Sequence, residues 1–139
     1  MIVAAVDFGR KRIGIAVGDT ENRLVYPATV IDRASNQADV ESVRAVVESR
    51  NVKRIVVGLP LNMDGSEGPM VRAARAFGAR IEAALSLPID YEDERLSTSE
   101  ARDRMREARQ DRAAGRRGKP VDAIAAAVIL ESWMARKRT

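Results

Sequence analysis

The sequence predicts an α/β fold built on a mixed five-stranded sheet. The first three strands run antiparallel, the fourth and fifth run parallel to the first, and helices cover both faces. Three observations carry this. Two apolar runs, 2–8 and 13–18, flank a short turn at Gly9, and a third apolar–polar segment follows at 24–32. Two more strand-like runs, "KRIVVG" (53–58) and "PIDYEDE" (88–94), each come after a segment with helical spacing. Antiparallel strands followed by βα alternation give such a sheet. No composition shift or repeat divides the 139 residues, so 1–139 reads as a single domain.

Taken in order, residues 2–8 and 13–18 form a hairpin around Gly9–Arg12. "LVYPATVID" (24–32) extends the meander, and Pro27, which has no N–H to donate, puts it at an edge or a strand start. In "NQADVESVRAVVESRN", Val40, Val43, Val46 and Val47 mark a helix. The buried strand at 53–58 ends on Gly58, and "LPLNMDGSEGP" (59–69) is a loop. A helix follows from Pro69, suited to a first helical position, to Leu85. Its stripe is Val71, Ala74, Phe77, Ile81 and Leu85, with Gly78 a weak point. Strand 88–94 turns acidic at its end, and a helix covers 98–109. "QDRAAGRRGKP" (110–120) lacks periodicity and reads as a flexible basic loop. "VDAIAAAVILESWMARK" (121–137) is the last helix, with Pro120 at its start.

Composition narrows the chemistry. The chain has no cysteine and no histidine. That excludes disulfides, thiolate or Ser–His nucleophiles, imidazole-based zinc sites and a histidine general base. No apolar run reaches the length of a membrane span, and Asp7 and Arg10 interrupt any signal-peptide core. A cytoplasmic protein with no membrane partner is expected. The formal charge is +4, but residues 95–119 hold nine basic against four acidic side chains. Such a segment suits a polyanion, though solvated helix faces share the pattern.

Three carboxylates from distant segments stand out. Asp7 interrupts the opening strand, Asp93 and Glu94 end the fifth, and Asp122 lies among alanines in the first turn of the last helix. The proposed sheet allows them to converge. Carboxylates about 4 Å apart repel by roughly 4 kcal/mol at an effective dielectric near 20, so a cluster takes up protons or binds a cation. Mg²⁺ or Mn²⁺ suits oxygen ligands, and two such ions activate water against a phosphodiester without His or Cys. Plainer readings stand beside this one. Asp7 can cap turn amides, Asp122 can favour a helix N-terminus, and Glu94 can pair with Arg95.

Four segments, "DFGRKRIGIAVGD" (7–19), "VVGLPLNMDGSEGP" (56–69), "DERLST" (93–98) and "VDAIAAAVIL" (121–130), resemble the YqgF family, also called RuvX. They occur in the family's order across almost the whole chain. That family comprises pre-16S rRNA nucleases and Holliday-junction resolvase-like proteins. The resemblance implies an RNase H-like fold and an acidic site binding Mg²⁺ or Mn²⁺, two ions. It assigns Asp7, Glu94 and Asp122 as catalytic metal ligands, with Asp93 the second choice to Glu94. The family's assignments span RNA processing and DNA junctions.

Around this site, Gly9 is expected to leave room beside Asp7. Arg10, Lys11 and Arg12 follow the strand directly and can reach substrate phosphate, or merely solvate a turn. The loop at 58–69 can offer backbone amides at a helix N-terminus, with Asn62 and Ser66 as neutral donors, or form a self-contained Asx-type turn. It lacks the G-K-[ST] of a nucleotide-binding loop. Arg95 can orient Glu94 or bind phosphate. Arg112, Arg116, Arg117 and Lys119 form a basic group before Asp122, able to close over a strand through counterion release or to serve as a soluble linker. Trp133 and Met134 read as packing residues. The expected function is metal-dependent phosphodiester hydrolysis in 5′-end processing of pre-16S rRNA. The alternatives are a four-way DNA junction resolvase, for which a homodimer rather than a monomer is needed, and a non-catalytic RNA-binding maturation factor.

Overall fold

The computed structural model describes residues 1–115 and 123–137 in full, and the backbone alone at 119–122. Strands β1 (Ile2–Phe8), β2 (Arg12–Asp19) and β3 (Val25–Asp32) form the meander. Then come α1 (Asn36–Arg50), β4 (Arg54–Leu59), α2 (Pro69–Leu85) and β5 (Ile89–Asp93). A 3₁₀ turn (Glu94–Leu96), α3 (Ser99–Ala113) and α4 (Lys119–Arg136) complete the order. The sheet runs β3-β2-β1-β4-β5. β1 pairs antiparallel with β2 and parallel with β4, and β4 pairs parallel with β5. The expected architecture is present, with Pro27 on the edge strand β3.

Strand alternation sorts the two faces. Ala4, Val6 and Phe8 of β1, with Ile55, Val57 and Leu59 of β4, pack against Val40, Val43 and Val47 of α1 and Val71, Ala74, Phe77 and Ile81 of α2. Phe8 and Phe77 meet with ring centroids 4.6 Å apart. Burying each such aromatic ring stabilises by about 1.5–3 kcal/mol. Gly78 weakens the α2 helix but fits the packing, because a Cβ there would stand 2.9 Å from Tyr91 Cε1. On the opposite face Val3, Ala5 and Val56 pack against Met105 of α3 and Ala125, Val128, Ile129, Leu130, Trp133 and Met134 of α4. Ala16 of β2 meets Ala126 and Ala127, so small residues on both elements let this helix lie close to the strands.

Parity positions the site. Asp7 continues the series Val3, Ala5 and therefore faces α3 and α4, while Gly58 continues Val56 on the neighbouring strand. Because β1, β4 and β5 are parallel, their C-terminal ends at Phe8, Leu59 and Asp93 share one edge of the sheet. Ligand sites in α/β sheets gather at such edges.

Three boundaries differ from the sequence expectation. Helix α3 continues to Ala113 rather than stopping at 109, so Arg112 belongs to a helix and not to a loop. Apolar periodicity does cease after Ala108, but Arg109 and Arg112 carry the inward face onward by pairing with carboxylates below. Helix α4 starts at Lys119, before Pro120. At the other boundary, Glu94 lies in the 3₁₀ turn just past β5 rather than within the strand.

Candidate active site

Asp7 and Glu94 are both buried, at 3% and 8% exposed, and they converge on one side chain. Arg109 Nη2 donates to Asp7 Oδ1 at 2.7 Å and to Glu94 Oε2 at 3.1 Å, while its Nη1 donates to Glu94 Oε1 at 3.0 Å. Arg112 Nη2 donates to the second Asp7 oxygen, Oδ2, at 3.2 Å. Two carboxylates from distant parts of the sequence thus share a single guanidinium nitrogen. Each is charge-compensated by helix α3.

The backbone makes this convergence possible. A Cβ at Gly58 would stand 2.8 Å from Glu94 Oε2, so only glycine on β4 lets the carboxylate cross toward Asp7. Parity separates Glu94 from its neighbour. Asp90 and Glu92 point to the α4 face, where Asp90 accepts from Trp133 Nε1 at 2.8 Å and Glu92 pairs with Ser132 and Arg136. Glu94 follows them. Asp93 turns away, caps the 3₁₀ turn by accepting from the Arg95 amide at 2.9 Å, and chelates the Arg95 side chain.

The electrostatics of the two carboxylates diverge. Burial opposes ionisation of Asp7, but the charges and hydrogen bonds of Arg109 and Arg112 outweigh it and hold its pKa below the ordinary value. Burial dominates at Glu94 and raises its pKa. Arg109 works against that rise, and the nearby charges of Asp7 and Asp93 add to it. For Arg109, burial disfavours the charge, but Asp7 and Glu94 overcome this and raise its pKa, so it stays a cation at every accessible pH.

The remaining sequence candidates that the structure describes are in different states. Arg10 and Lys11 are exposed on the β1–β2 turn and make no ion pair among the described residues. Arg12 is committed to Asp32 at 3.1 Å and to the Arg112 carbonyl at 3.4 Å. Arg95 pairs with Asp93 rather than Glu94 and also donates to the Met63 carbonyl. Asn62 closes its own loop: its Nδ2 donates to Ser66 Oγ at 2.9 Å, and Asp64 accepts from the Ser66 amide. Glu67 is bound to Arg75. Gly9 is less a vacancy beside Asp7 than a turn requirement, since a Cβ there would lie 2.6 Å from the Arg12 carbonyl oxygen. Trp133 and Met134 are buried packing residues. The side chains of Arg116, Arg117, Lys119 and Asp122 lie outside the described residues.

Three cavities surround the carboxylates. One of about 430 Å³ is lined by Asp7, Asn62 and the N-terminus of α2. One of about 420 Å³ is lined by Glu94, Leu61, Met63 and Arg102. A third, of about 330 Å³, lies against Arg10, Lys11 and Arg12. Arg109 lines all three. Among the described residues no three metal-ligating side chains gather in one place, so Asp7 and Glu94 stand as a pair there. No helix among them is long and apolar enough to cross a membrane.

Sequence reasoning missed Arg109, Gly58 and Arg33. Arg109 had a signal: it lies one turn beyond Met105 on the buried face, where an arginine must find an anion. Arg33 stacks on Phe8, 4.3 Å from the ring centroid. It also donates to the Gly9 and Arg10 carbonyls and to buried Asp39, which fixes the turn that carries Arg10 and Lys11.

Comparisons with known proteins give the chain a family and a fold. The profile of the RuvX family, described as a Holliday junction resolvase, matches residues 1–136. A protein of Anaeromyxobacter sp. (strain K), described as "Putative pre-16S rRNA nuclease", is 48% identical over 137 residues, covering 99% of this chain and 98% of its own. A relative from Maridesulfovibrio salexigens with the same description is 39% identical over 98% of this chain and 99% of its own. Among solved structures, the fowlpox virus resolvase with substrate Holliday junction DNA superimposes with a TM-score of 0.61 at 13% identity, over 100% of both chains. Thermus thermophilus RuvC in complex with a Holliday junction substrate gives 0.55 at 17%, over 100% of this chain and 98% of that one. These establish a RuvC-like RNase H fold.

Proposed function

The chain belongs to the RuvX family, also called YqgF, a family of nucleases, and we propose that it is a metal-dependent hydrolase that cuts RNA in maturing the 5′ end of pre-16S rRNA. The observation that carries the reading is the buried Asp7–Glu94 pair at the C-terminal edge of the parallel strands. RNase H-like nucleases typically use divalent metals, and the donor set fits one. Two carboxylates with four oxygens, held close on rigid elements, already surround a cation, the guanidinium of Arg109. Hard divalent ions prefer such oxygen ligands.

In this reading Asp7, Glu94 and Asp122 hold Mg²⁺ or Mn²⁺, as two ions. Bound there, the metal supplies Lewis acidity toward the scissile phosphate and a more acidic attacking water. The protein's own share is positioning. Asp7 sits on the central strand and Glu94 in a turn capped by Asp93, so neither ligand needs to reorganise. Exposed Arg10 and Lys11 take backbone phosphates beside the site, joined by Arg116, Arg117 and Lys119 from the basic stretch that leads to Asp122. Asn62 and the α2 amides line the cavity next to Asp7 and can receive a phosphate oxygen there. Arg12 and Arg95, each held by an aspartate, shape the walls and present their remaining N–H groups to the strand.

A second reading keeps the chemistry and takes a four-way DNA junction as substrate. The fold's likeness to resolvases solved with such junctions favours it. Cutting a junction symmetrically needs two sites and hence a homodimer, whereas trimming an RNA end works in a monomer.

The test is cleavage of an end-labelled pre-16S rRNA fragment and of a labelled four-way junction, each with EDTA, Mg²⁺ or Mn²⁺. Asp7→Asn, Glu94→Gln and Asp122→Asn are compared with wild type, with circular dichroism to establish folding. Metal-dependent RNA cutting, lost in all three folded variants, is expected. Junction cutting without RNA cutting moves the assignment to the second reading. Binding without cutting in wild type identifies a maturation factor that is not an enzyme.

A further inference from the structure

Arg109 occupies the space between the two carboxylates that the proposed function gives to a metal. Its three hydrogen bonds use one oxygen of Asp7 and both of Glu94, and Arg112 uses the remaining oxygen of Asp7. Every carboxylate oxygen of the pair is therefore engaged by a guanidinium. A divalent ion needs the same oxygens and carries the same sign of charge, so ion and arginine compete for them. Arg109 is also the common wall of the three cavities around the site. With it in place they are separate pockets. It stands between the cavity beside Arg10 and Lys11 and the cavity beside Leu61 and Met63.

We propose that Arg109 is a displaceable counter-ion: it neutralises Asp7 and Glu94 while the site lacks metal, and on metal entry it swings out to bind a phosphate of the incoming strand. The side chain is suited to this. It comes from near the C-terminus of α3 and remains 31% exposed, so the path to solvent is open. Unpaired, the two buried carboxylates would repel, which explains why an arginine is held there at the cost of its own partial desolvation. Displaced, a guanidinium beside the scissile phosphate makes charge-assisted bonds of the kind it now makes to carboxylate. Metal and substrate strand then bind cooperatively, because the metal frees the residue that the strand uses. The role is that of a positioning residue gated by the ion.

This inference rests on the metal-dependent nuclease reading, and its test separates the two. Mn²⁺ binding is measured directly by the electron paramagnetic resonance of free Mn²⁺, for wild type, Asp7→Asn and Arg109→Gln. If Arg109 holds the ligands in all but about a tenth of molecules, removing it tightens Mn²⁺ binding by about tenfold. The same variant melts at a lower temperature without metal and gains more from added Mn²⁺. With Ca²⁺ saturating the site, its affinity for single-stranded RNA is several-fold weaker than wild type. Arg109→Lys, which keeps the charge but cannot bridge, falls between.

Should Arg109→Gln fail to fold, the unaltered protein still answers through the nitrogen NMR signals of its arginine side chains. On addition of Mg²⁺ the Arg109 Nε–H resonance is expected to shift and exchange faster with water. Mn²⁺ affinity equal to or weaker than wild type in Arg109→Gln, or an Arg109 signal unmoved by Mg²⁺ that does bind, overturns the exchange and leaves the nuclease reading intact. Absence of Mn²⁺ binding by both proteins overturns both.

Discussion

At Gly58 a single hydrogen decides where Glu94 can go. Any Cβ there would lie 2.8 Å from Glu94 Oε2 and closer still to Ile129 Cδ1. The expected outcome for Gly58→Ala is a loss of about 1–3 kcal/mol, the usual cost of overpacking a tight site. Cleavage should fall further than stability does, because Glu94 is pushed off the carboxylate pair. Denaturant titration beside the cleavage assay checks this, and normal cutting in the variant would remove Gly58 from the site's construction. Asp39 offers a second case, remote from the chemistry. It is 1% exposed, accepts from the Ala34 amide at 2.9 Å and pairs with Arg33 at 3.2 Å. Arg33 in turn grips the carbonyls of the β1–β2 turn. Replacing Asp39 with alanine leaves Arg33 with only the turn carbonyls and the Phe8 ring, and losing a charged hydrogen-bond partner at a part-buried site costs about 1–3 kcal/mol. A drop of that size in thermal or denaturant unfolding is expected, together with weaker nucleic acid binding as Arg10 and Lys11 lose their fixed position.

Among the elements, the short link from β5 into α3 carries most of the site's design. Asp93 caps the 3₁₀ turn, and Arg102 donates to the carbonyls of Arg95 and Ser97 at 2.8 and 2.9 Å, tying α3 to the same turn. The hydrogen bond from Arg95 is the largest influence on Asp93 and holds its pKa below the ordinary 3.8, with burial opposing. A depressed carboxylate stabilises the fold above its unfolded pKa, and that contribution disappears as pH falls through the folded value. Wild type is therefore expected to lose stability below about pH 4 more steeply than Asp93→Asn. The difference should be a fraction of about 1 kcal/mol, since the pair is partly exposed. Denaturant midpoints at pH 3 and pH 7 measure it, and identical slopes would show that the cap is not carried by charge. The same link shows what a sequence reveals. Strand order, both sheet faces and the valine and alanine stripes follow from apolar periodicity, because packing writes itself as spacing. The choice between Asp93 and Glu94 was not readable from spacing, since it turns on which face of the sheet Tyr91 packs against. Arg109 and the last turn of α3 were not read from apolar spacing. There the buried face is built of salt bridges, and the one hint in the sequence was the place of Arg109 one turn beyond Met105.

For the whole molecule, the placement of charge matters more than its amount. A net charge of +4 is small for a nucleic acid partner. Yet the fold gathers Arg10, Lys11, Arg12, Arg109 and Arg112 around one cavity at the edge where the parallel strands end. Arg109 and Arg112 are balanced by Asp7 and Glu94, and Arg12 by Asp32. Arg10 and Lys11 remain exposed on the turn that follows Asp7, where the proposed function has them take phosphates of a bound strand. Each phosphate neutralised by such a cation releases counterions, giving a log–log salt slope of about −0.7 per contact on a single strand. Replacing Arg10 and Lys11 together with serine should therefore flatten the salt dependence of RNA binding by about 1.4 and weaken it uniformly across sequences. Thermal stability should hardly change, because neither side chain is packed. Measuring affinity from low to moderate salt, with Ca²⁺ present to prevent cutting, gives the slope directly. An unchanged slope would move the phosphate track off the β1–β2 turn and onto Arg116, Arg117 and Lys119.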